Sequence, residues 1–316
     1  MKDETNLKKE KLKKYIPISA LLILCLFFTL LQPRFFSFGN AMIVLQQSVV
    51  LLCAGLGMTF VIVGGSVDLS VGSILALSAL VSALFSSTLG IFAFIPGLVT
   101  GALCGLLNGF IFAKGKVPSF IATMGMMTTY RGIVLLFTKG APVEIESESF
   151  LDFFAGRSIG IPNSALITIF AIAIIYFIFN KTVFGREVKA VGGGETVAKT
   201  SGLKIDSIKI KMFLILGIMC GLSGVLQAGR VMAATAQLGE GFELDAIASV
   251  VIGGTPMTGG LGSIQGTVLG AFIITILSNG MNMLGVDPYL QSIVKGLVMI
   301  LAVFLTIDRK KIGCIK

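Results

Sequence analysis

Apolar runs of helical rather than strand length alternate with short polar interruptions along nearly the whole chain. In order, the runs predict spans over 15–31, 41–64 and 70–87, a glycine-rich fourth ending before Lys114, and a fifth beginning at Pro118. Further spans follow over 164–180 and 208–228, then a short, broken one near 243–257, a ninth around Gly262 to Asn279, and a last over 288–306. About 20 apolar residues cross the hydrocarbon of a bilayer. The pattern therefore predicts an all-α polytopic membrane protein of about ten transmembrane helices, some broken by glycine.

Polar positions inside these runs are the candidate chemistry, because lipid penalises them and a bundle interior does not. Gln46 lies in the second run. The stretch after it, VIVGGSVDLSVGSI, places Asp68, Ser70 and Ser73 among glycines at membrane depth, where irregular backbone survives only if protein or a water-filled cavity surrounds it. Two readings stand: a translocation pathway, or a turn at the cytoplasmic face in which Asp68 caps the next helix through Ser70 or Val71. Asn108 sits on the glycine-rich fourth run, Tyr130 and Arg131 interrupt the fifth, and Gln265 and Asn279 belong to the ninth. An arginine there needs a partner or water, and Asp68 is the partner expected first.

Four-residue steps of small residues, Ser78, Ser82, Ser86 and Gly97, Gly101, Gly105, Gly109, predict packing seams first and a polar lining second. The segment 250–263 echoes 61–74: Val-Val-Ile-Gly-Gly against Val-Ile-Val-Gly-Gly, each followed by Gly-Ser-Ile. Paired glycine-broken segments point to a pathway built from interrupted helices.

The polar loop 181–211 stands apart. Gly192, Gly193 and Gly194 are expected to break the backbone, 195–201 to make about two helical turns, and Gly202 to stop them in a left-handed cap. So short a helix does not hold its shape alone and needs something to dock against. A basic connector with no further role is the competing reading.

Composition narrows the class. With 316 residues, 55% hydrophobic, 13% charged and a mean hydropathy of +0.95, the chain is too apolar for a soluble domain. The net charge of +9 could suggest nucleic acid, but its placement argues for topology. Nineteen of the 25 Lys and Arg fall in 1–14, at Lys114 and Lys116, in 181–211 and from Arg309 onward. Only Arg34, Lys139, Arg157 and Arg230 fall on the opposite side. The positive-inside rule then puts both termini in the cytoplasm, with basic tails at 1–14 and 309–316. A cleaved secretory signal is disfavoured, since Gln32-Pro33-Arg34 reads as a membrane exit and no small-residue cleavage site follows the first run. The five cysteines show no metal or redox spacing, and no histidine is present.

Four ordered stretches, GGSVDLSVGS, TMGMMTTYRG, GREVKAVGGGETVAKTSG and VIGGTPMTGGLGS, resemble the ribose-type monosaccharide permeases of bacterial ABC importers. The resemblance covers about 41–311. It implies a single transmembrane permease domain over 15–308 in the bacterial inner membrane, working as a homodimer or heterodimer. It also implies a cytoplasmic ABC ATPase at the coupling loop 181–211 and an extracytoplasmic solute-binding protein, with Arg186, Glu195, Ala198, Lys199, Ser201 and Gly202 as coupling residues. The loop matches the general importer signature only loosely, because Thr196-Val197 replaces two alanines and the Glu195 to Gly202 spacing is one residue longer.

The function expected is passage of a sugar or sugar-like polar solute, with no catalytic residues and no cofactor in this chain. The sequence holds no Walker motif, so energy comes from a partner that binds ATP and magnesium, or from an ion gradient as in a secondary transporter. Asp68 is the one good intramembrane carboxylate candidate for ion coupling. A membrane enzyme lacks any catalytic constellation. The acidic segment 141–163, with Glu144, Glu146, Glu148 and Asp152, is either solvation or a landing surface for the binding protein.

Overall fold

The computed structural model describes the backbone of residues 2–306 and the side chains of 17–304. The basic tail expected at 309–316, and the side chains of the one at 1–14, lie outside the described residues. The chain opens with α1 (Lys2–Leu31), a 3-10 turn (Pro33–Phe36), α2 (Phe38–Val63), α3 (Val71–Leu84) and the short α4 (Ser86–Leu89). It continues with α5 (Phe94–Ala113), α6 (Ser119–Thr138), β1 (Val143–Glu144), α7 (Glu148–Phe154), β2 (Arg157–Ser158) and β3 (Ile161–Pro162). Next come α8 (Asn163–Lys181), α9 (Val183–Gly193), α10 (Glu195–Thr200) and α11 (Ile205–Val231). The chain ends through β4 (Ala233–Ala234), α12 (Phe242–Ile252), α13 (Ile264–Met283) and α14 (Pro288–Thr306).

Helix dominates because lipid offers backbone amides no partners, so each segment must satisfy its own. Among the described residues, six helical stretches are long and apolar enough to cross a membrane: Phe38–Val63, Ser86–Ala113, Ser119–Thr138, Asn163–Lys181, Ile205–Val231 and Ile264–Met283. The other expected crossings correspond to the shorter apolar helices Pro17–Leu31, Val71–Leu84 and Pro288–Phe304, and to α12. The strands are two-residue ladders, β1 with β4 (Val143 opposite Ala234) and β2 with β3, which pin the loops on one side.

Burial sorts the helices into a centre and a rim. The most apolar windows of α11 and α13 are each 72% buried and that of α6 only 22%. The rim shows large apolar side chains, among them Phe110 on α5, Leu136 and Phe137 on α6, and Phe170 and Phe177 on α8. In water such surface would aggregate; in a bilayer it is matched by acyl chains.

The glycine steps form a seam, as expected. A methyl group at Gly101 would sit 2.6 Å from the Gly221 Cα, and one at Gly105 2.8 Å from the Gly217 Cα, so α5 and α11 touch backbone to backbone. Ser78 lies at Gly224 and Ser82 at Gly97, both in packed contacts. Ser86 Oγ donates to the Ala83 carbonyl and accepts from the Glu146 amide at 3.1 Å. α1 joins the bundle through Phe28, which packs with Phe35, Val44 and Ile276 and fills the space over Gly280 on α13.

The loop 181–211 differs from expectation in one respect. Helix α9 runs through Gly192 and Gly193, and the break falls at Gly194. The loop is thus a helical hairpin, α9 and α10, leading into α11.

Candidate functional site

Two polar assemblies organise the molecule. The first begins where α2 ends. The Gly64 amide bonds to the Phe60 carbonyl, Gly65 to Ile62 and Ser66 to Val61, which closes the helix. The chain then runs without helix to Ser70, the residue preceding α3. Asp68 Oδ1 accepts from the Ser70 amide (2.7 Å) and the Ser70 hydroxyl (2.6 Å), and Oδ2 accepts from Asn108 Nδ2 (3.1 Å). Asn108 Nδ2 also donates to Ser70 Oγ at 2.7 Å, and the Tyr130 hydroxyl reaches Asn108 Oδ1 (3.1 Å) and the Cys104 carbonyl (3.0 Å). Ser73 Oγ donates to the Ser70 carbonyl.

Asp68, Ser70 and Asn108 have no exposed surface, and Ser73 and Tyr130 almost none. The network is internally satisfied, as a buried polar cluster must be. It ties the turn after α2 to α5 and α6. Two further hydroxyls of α6 complete the tie, Ser119 Oγ accepting from the Val67 amide (3.3 Å) and Thr123 Oγ1 from the Leu69 amide (3.1 Å).

The expected pairing of Asp68 with Arg131 is not what the structure shows. Arg131 Nη1 donates to the carbonyls of Ala236 and Leu238 instead, the latter at 2.7 Å. Successive residues on a helix diverge by about 100°. With Tyr130 turned toward Asn108, Arg131 is carried around α6 to the loop preceding α12. Asp68 does bond the Ser70 amide, but in the turn ahead of the helix: Ser70 is itself the residue at the cap position, and no side chain caps α3.

The remaining polar positions lie elsewhere. Asn279 accepts from Asn40 Nδ2 at 3.1 Å, joining α13 to α2. Gln46 is half-buried on α2. Gln265 is exposed, in an open groove of about 350 Å³ with Tyr176, Ile172 and Val268. A single chain thus does not bring all the expected pathway residues to one wall.

The second assembly is the hairpin. Thr182 caps α9 by accepting from the Gly185 amide, and Val188 and Val191 face the core. α10 ends as predicted: Gly202 has φ +86°, its amide bonds to the Lys199 carbonyl, and the Leu203 amide bonds to that of Ala198. Ala198 points inward, 4% exposed, whereas Val197 is 69% exposed. Arg186, Lys199, Ser201 and Gly202 are exposed. Glu195 binds Lys209 of α11 at 2.7 Å, and the Lys209 ammonium also lies 4.5 Å from the centre of the Phe112 ring. Lys114 and Asp206 pair at 3.0 Å, tying the end of α5 to the start of α11.

Two features escaped the sequence reading. Lys295 of α14 pairs with Asp245 of α12 at 2.8 Å, both largely shielded. A lone lysine inside an apolar run calls for an acidic partner, and that was the available signal. The hydroxyl ties from Ser119 and Thr123 had no signal, because their partners are backbone amides more than 50 residues away.

A family model described as branched-chain amino acid transport system / permease component matches residues 40–303. The ribose import permease protein RbsC of Bacillus subtilis (strain 168) is 41% identical over 304 residues, covering 95% of this chain and 94% of that protein. Its counterpart of the same name in Escherichia coli (strain K12) is 40% identical over 301 residues, 92% of each chain. The xylose transport system permease protein XylH of Escherichia coli (strain K12) is 32% identical, covering 97% of this chain and 95% of that protein. The family model takes in the chain from α2 into α14, and the relatives align over nearly its whole length. The chain belongs to this permease family, on its ribose-type branch, as a multi-pass inner-membrane subunit of a bacterial ABC importer.

Proposed function

We propose that this chain, with a second copy or a paralogue, forms the pathway by which a sugar or sugar-like solute enters the cell, driven by a separate cytoplasmic ATPase. The observation that carries this is near full-length identity to permeases whose names specify ribose and xylose import. In this reading the chain crosses the membrane about ten times with both termini inside. The hairpin α9–α10 lies on the cytoplasmic side, and the loops around α7 face the solute-binding protein. The chain carries no cofactor of its own; ATP and magnesium belong to the ATPase.

Val197 is the docking contact that the geometry favours. It is a large apolar side chain held outward on a polar hairpin, while Ala198 and the Glu195–Lys209 pair hold the hairpin to its own chain. A buried apolar anchor carries a large share of such an interface. Replacing it with Asp is expected to weaken co-purification of the ATPase by about tenfold or more, equal to about 1.4 kcal/mol. Unchanged co-purification would remove α10 from the interface. The energy source is tested separately: uptake into cells with proton and sodium gradients collapsed at constant ATP is expected to continue. Immediate arrest would favour an ion-coupled carrier.

A further inference from the structure

The hairpin also touches the turn that leads into the first assembly. Gly192 and Gly193 at the end of α9, the turn Gly64–Gly65 closing α2, and the turn Gly259–Gly260 ahead of α13 meet backbone to backbone. The Gly260 amide donates to the Val63 carbonyl at 2.8 Å. A methyl group on Gly192 would overlap that same carbonyl oxygen and lie 2.6 Å from the Gly260 nitrogen; one on Gly259 would lie 2.9 Å from the Gly65 Cα. At Gly192 the contact is backbone on backbone, and one turn back along α2 the Phe60 ring stacks on Phe184 of α9 at 5.9 Å. The backbone contact has no rotamers to absorb a displacement, so a shift of the hairpin is passed on to the turn.

From that turn the chain runs, unwound, through Ser66 to Ser70. Its far end is held by α5 through Asp68 and Asn108, and by α6 through Ser119 and Thr123. The two helices differ in freedom. α5 is locked to α11 along the glycine seam, whereas α6 is the least buried of the long apolar helices and leaves Gly125, Thr128, Thr129 and Gly132 exposed on its outer face.

We propose that the unwound segment after α2 is the mechanical link between the hairpin and α6, with Gly192 and Thr123 as positioning residues at its two ends. Asp68 anchors the link to the fixed helix α5; it does not touch the solute. The proposal rests on the reading that the ATPase docks on the hairpin. Displacement of α10 on ATP binding moves the turn at Gly64–Gly65, the segment follows, and the amides of Val67 and Leu69 draw α6 with them. Hinges commonly sit at such element-terminal residues.

The test uses the chain in proteoliposomes with its ATPase and binding protein, and a Thr128→Cys reporter labelled by a water-soluble maleimide before and after trapping with ATP and vanadate. Thr123→Val keeps the shape of the side chain and deletes the acceptor for the Leu69 amide; Thr123→Ser keeps the acceptor. The reporter alone is expected to change its labelling rate on trapping by about fivefold or more, the scale of an ordinary coupling. Thr123→Val is expected to abolish that change with ATPase co-purification intact, and Thr123→Ser to preserve it. A trap-dependent change that survives Thr123→Val overturns the link, as does loss of the ATPase from that variant or a reporter that never responds. Failure of the docking reading is seen separately: Val197→Asp would then retain the ATPase. Gly192→Ala serves as the second variant, expected to lose the response in the same way.

Discussion

At the scale of single residues, Asp68 shows how a buried charge is kept. Each of its acceptors has a donor, and the donors are engaged in turn: Asn108 spends both amide protons on Asp68 and Ser70 and its oxygen on Tyr130. Asp68→Asn places one amide group against another. Asn108 can relieve this only by flipping, which withdraws the proton it gives Ser70 Oγ and sets its oxygen against that hydroxyl. A loss of about 2 kcal/mol in stability follows, the ordinary cost of stranding a buried polar group. Thermal unfolding of the purified chain in detergent reads it, and an unchanged midpoint would refute the arrangement. That Asp68, Asn108 and Tyr130 are polar intruders was legible in the sequence. That they bond one another was not, since it depends on how three helices are rotated. The same rotation sent Arg131 away from its expected partner.

At the scale of elements, the hairpin was the most legible part of the chain. Glycine ahead, an acid at the first position and glycine behind specify α10 locally, and the structure ends it at Gly202 with a left-handed residue. The helicity of α9 through Gly192 and Gly193 was hidden. Glycine ordinarily disfavours helix, but at Gly192 it is required by the close approach of Val63 and Gly260, a tertiary fact. Orientation of α10 depends on Glu195 and Lys209. The lysine is 12% exposed and the glutamate 56%, so the pair lies between surface and interior in strength. Glu195→Lys is expected to lower uptake by about fivefold through like-charge repulsion, a cost near 1 kcal/mol. Lys209→Glu in the same chain restores attraction and uptake. No rescue by the double reversal would show that Glu195 contacts the ATPase rather than its own chain.

At the scale of the whole molecule, the order of spans and the seams of small residues were readable, because lipid fixes helix length and close packing fixes side-chain size. Which polar groups share a wall was not readable, because in the dimer proposed here part of any wall belongs to the other copy. The outer face of α6 is where the second copy is expected: Thr128 and Thr129 return their hydroxyls to the Gly125 carbonyl, and methyl groups on Gly125 or Gly132 would meet nothing within 4 Å. This small, flat face contrasts with the bulky Ile169, Phe170 and Phe177 of α8. Thr128→Cys is expected to form a crosslink between two copies with a short bifunctional reagent in membranes, whereas Phe170→Cys is not. Crosslinking at Phe170→Cys alone would put the dimer on the other side.

The turns after α2 and α12 close by one scheme. Gly253 bonds to Ser249, Gly254 to Val251 and Thr255 to Val250, residue for residue the pattern that runs from Gly64 to Ser66. One of the two goes on to carry the aspartate and the other does not. The chain therefore holds a matched pair of glycine stops, one whose loop is tied by side chains to α5 and α6 and one whose loop returns through Gly260 to the end of α2. An alteration that acts alike at both stops reports on the joint their loops share, and one that acts at the first alone reports on the ties to α5 and α6.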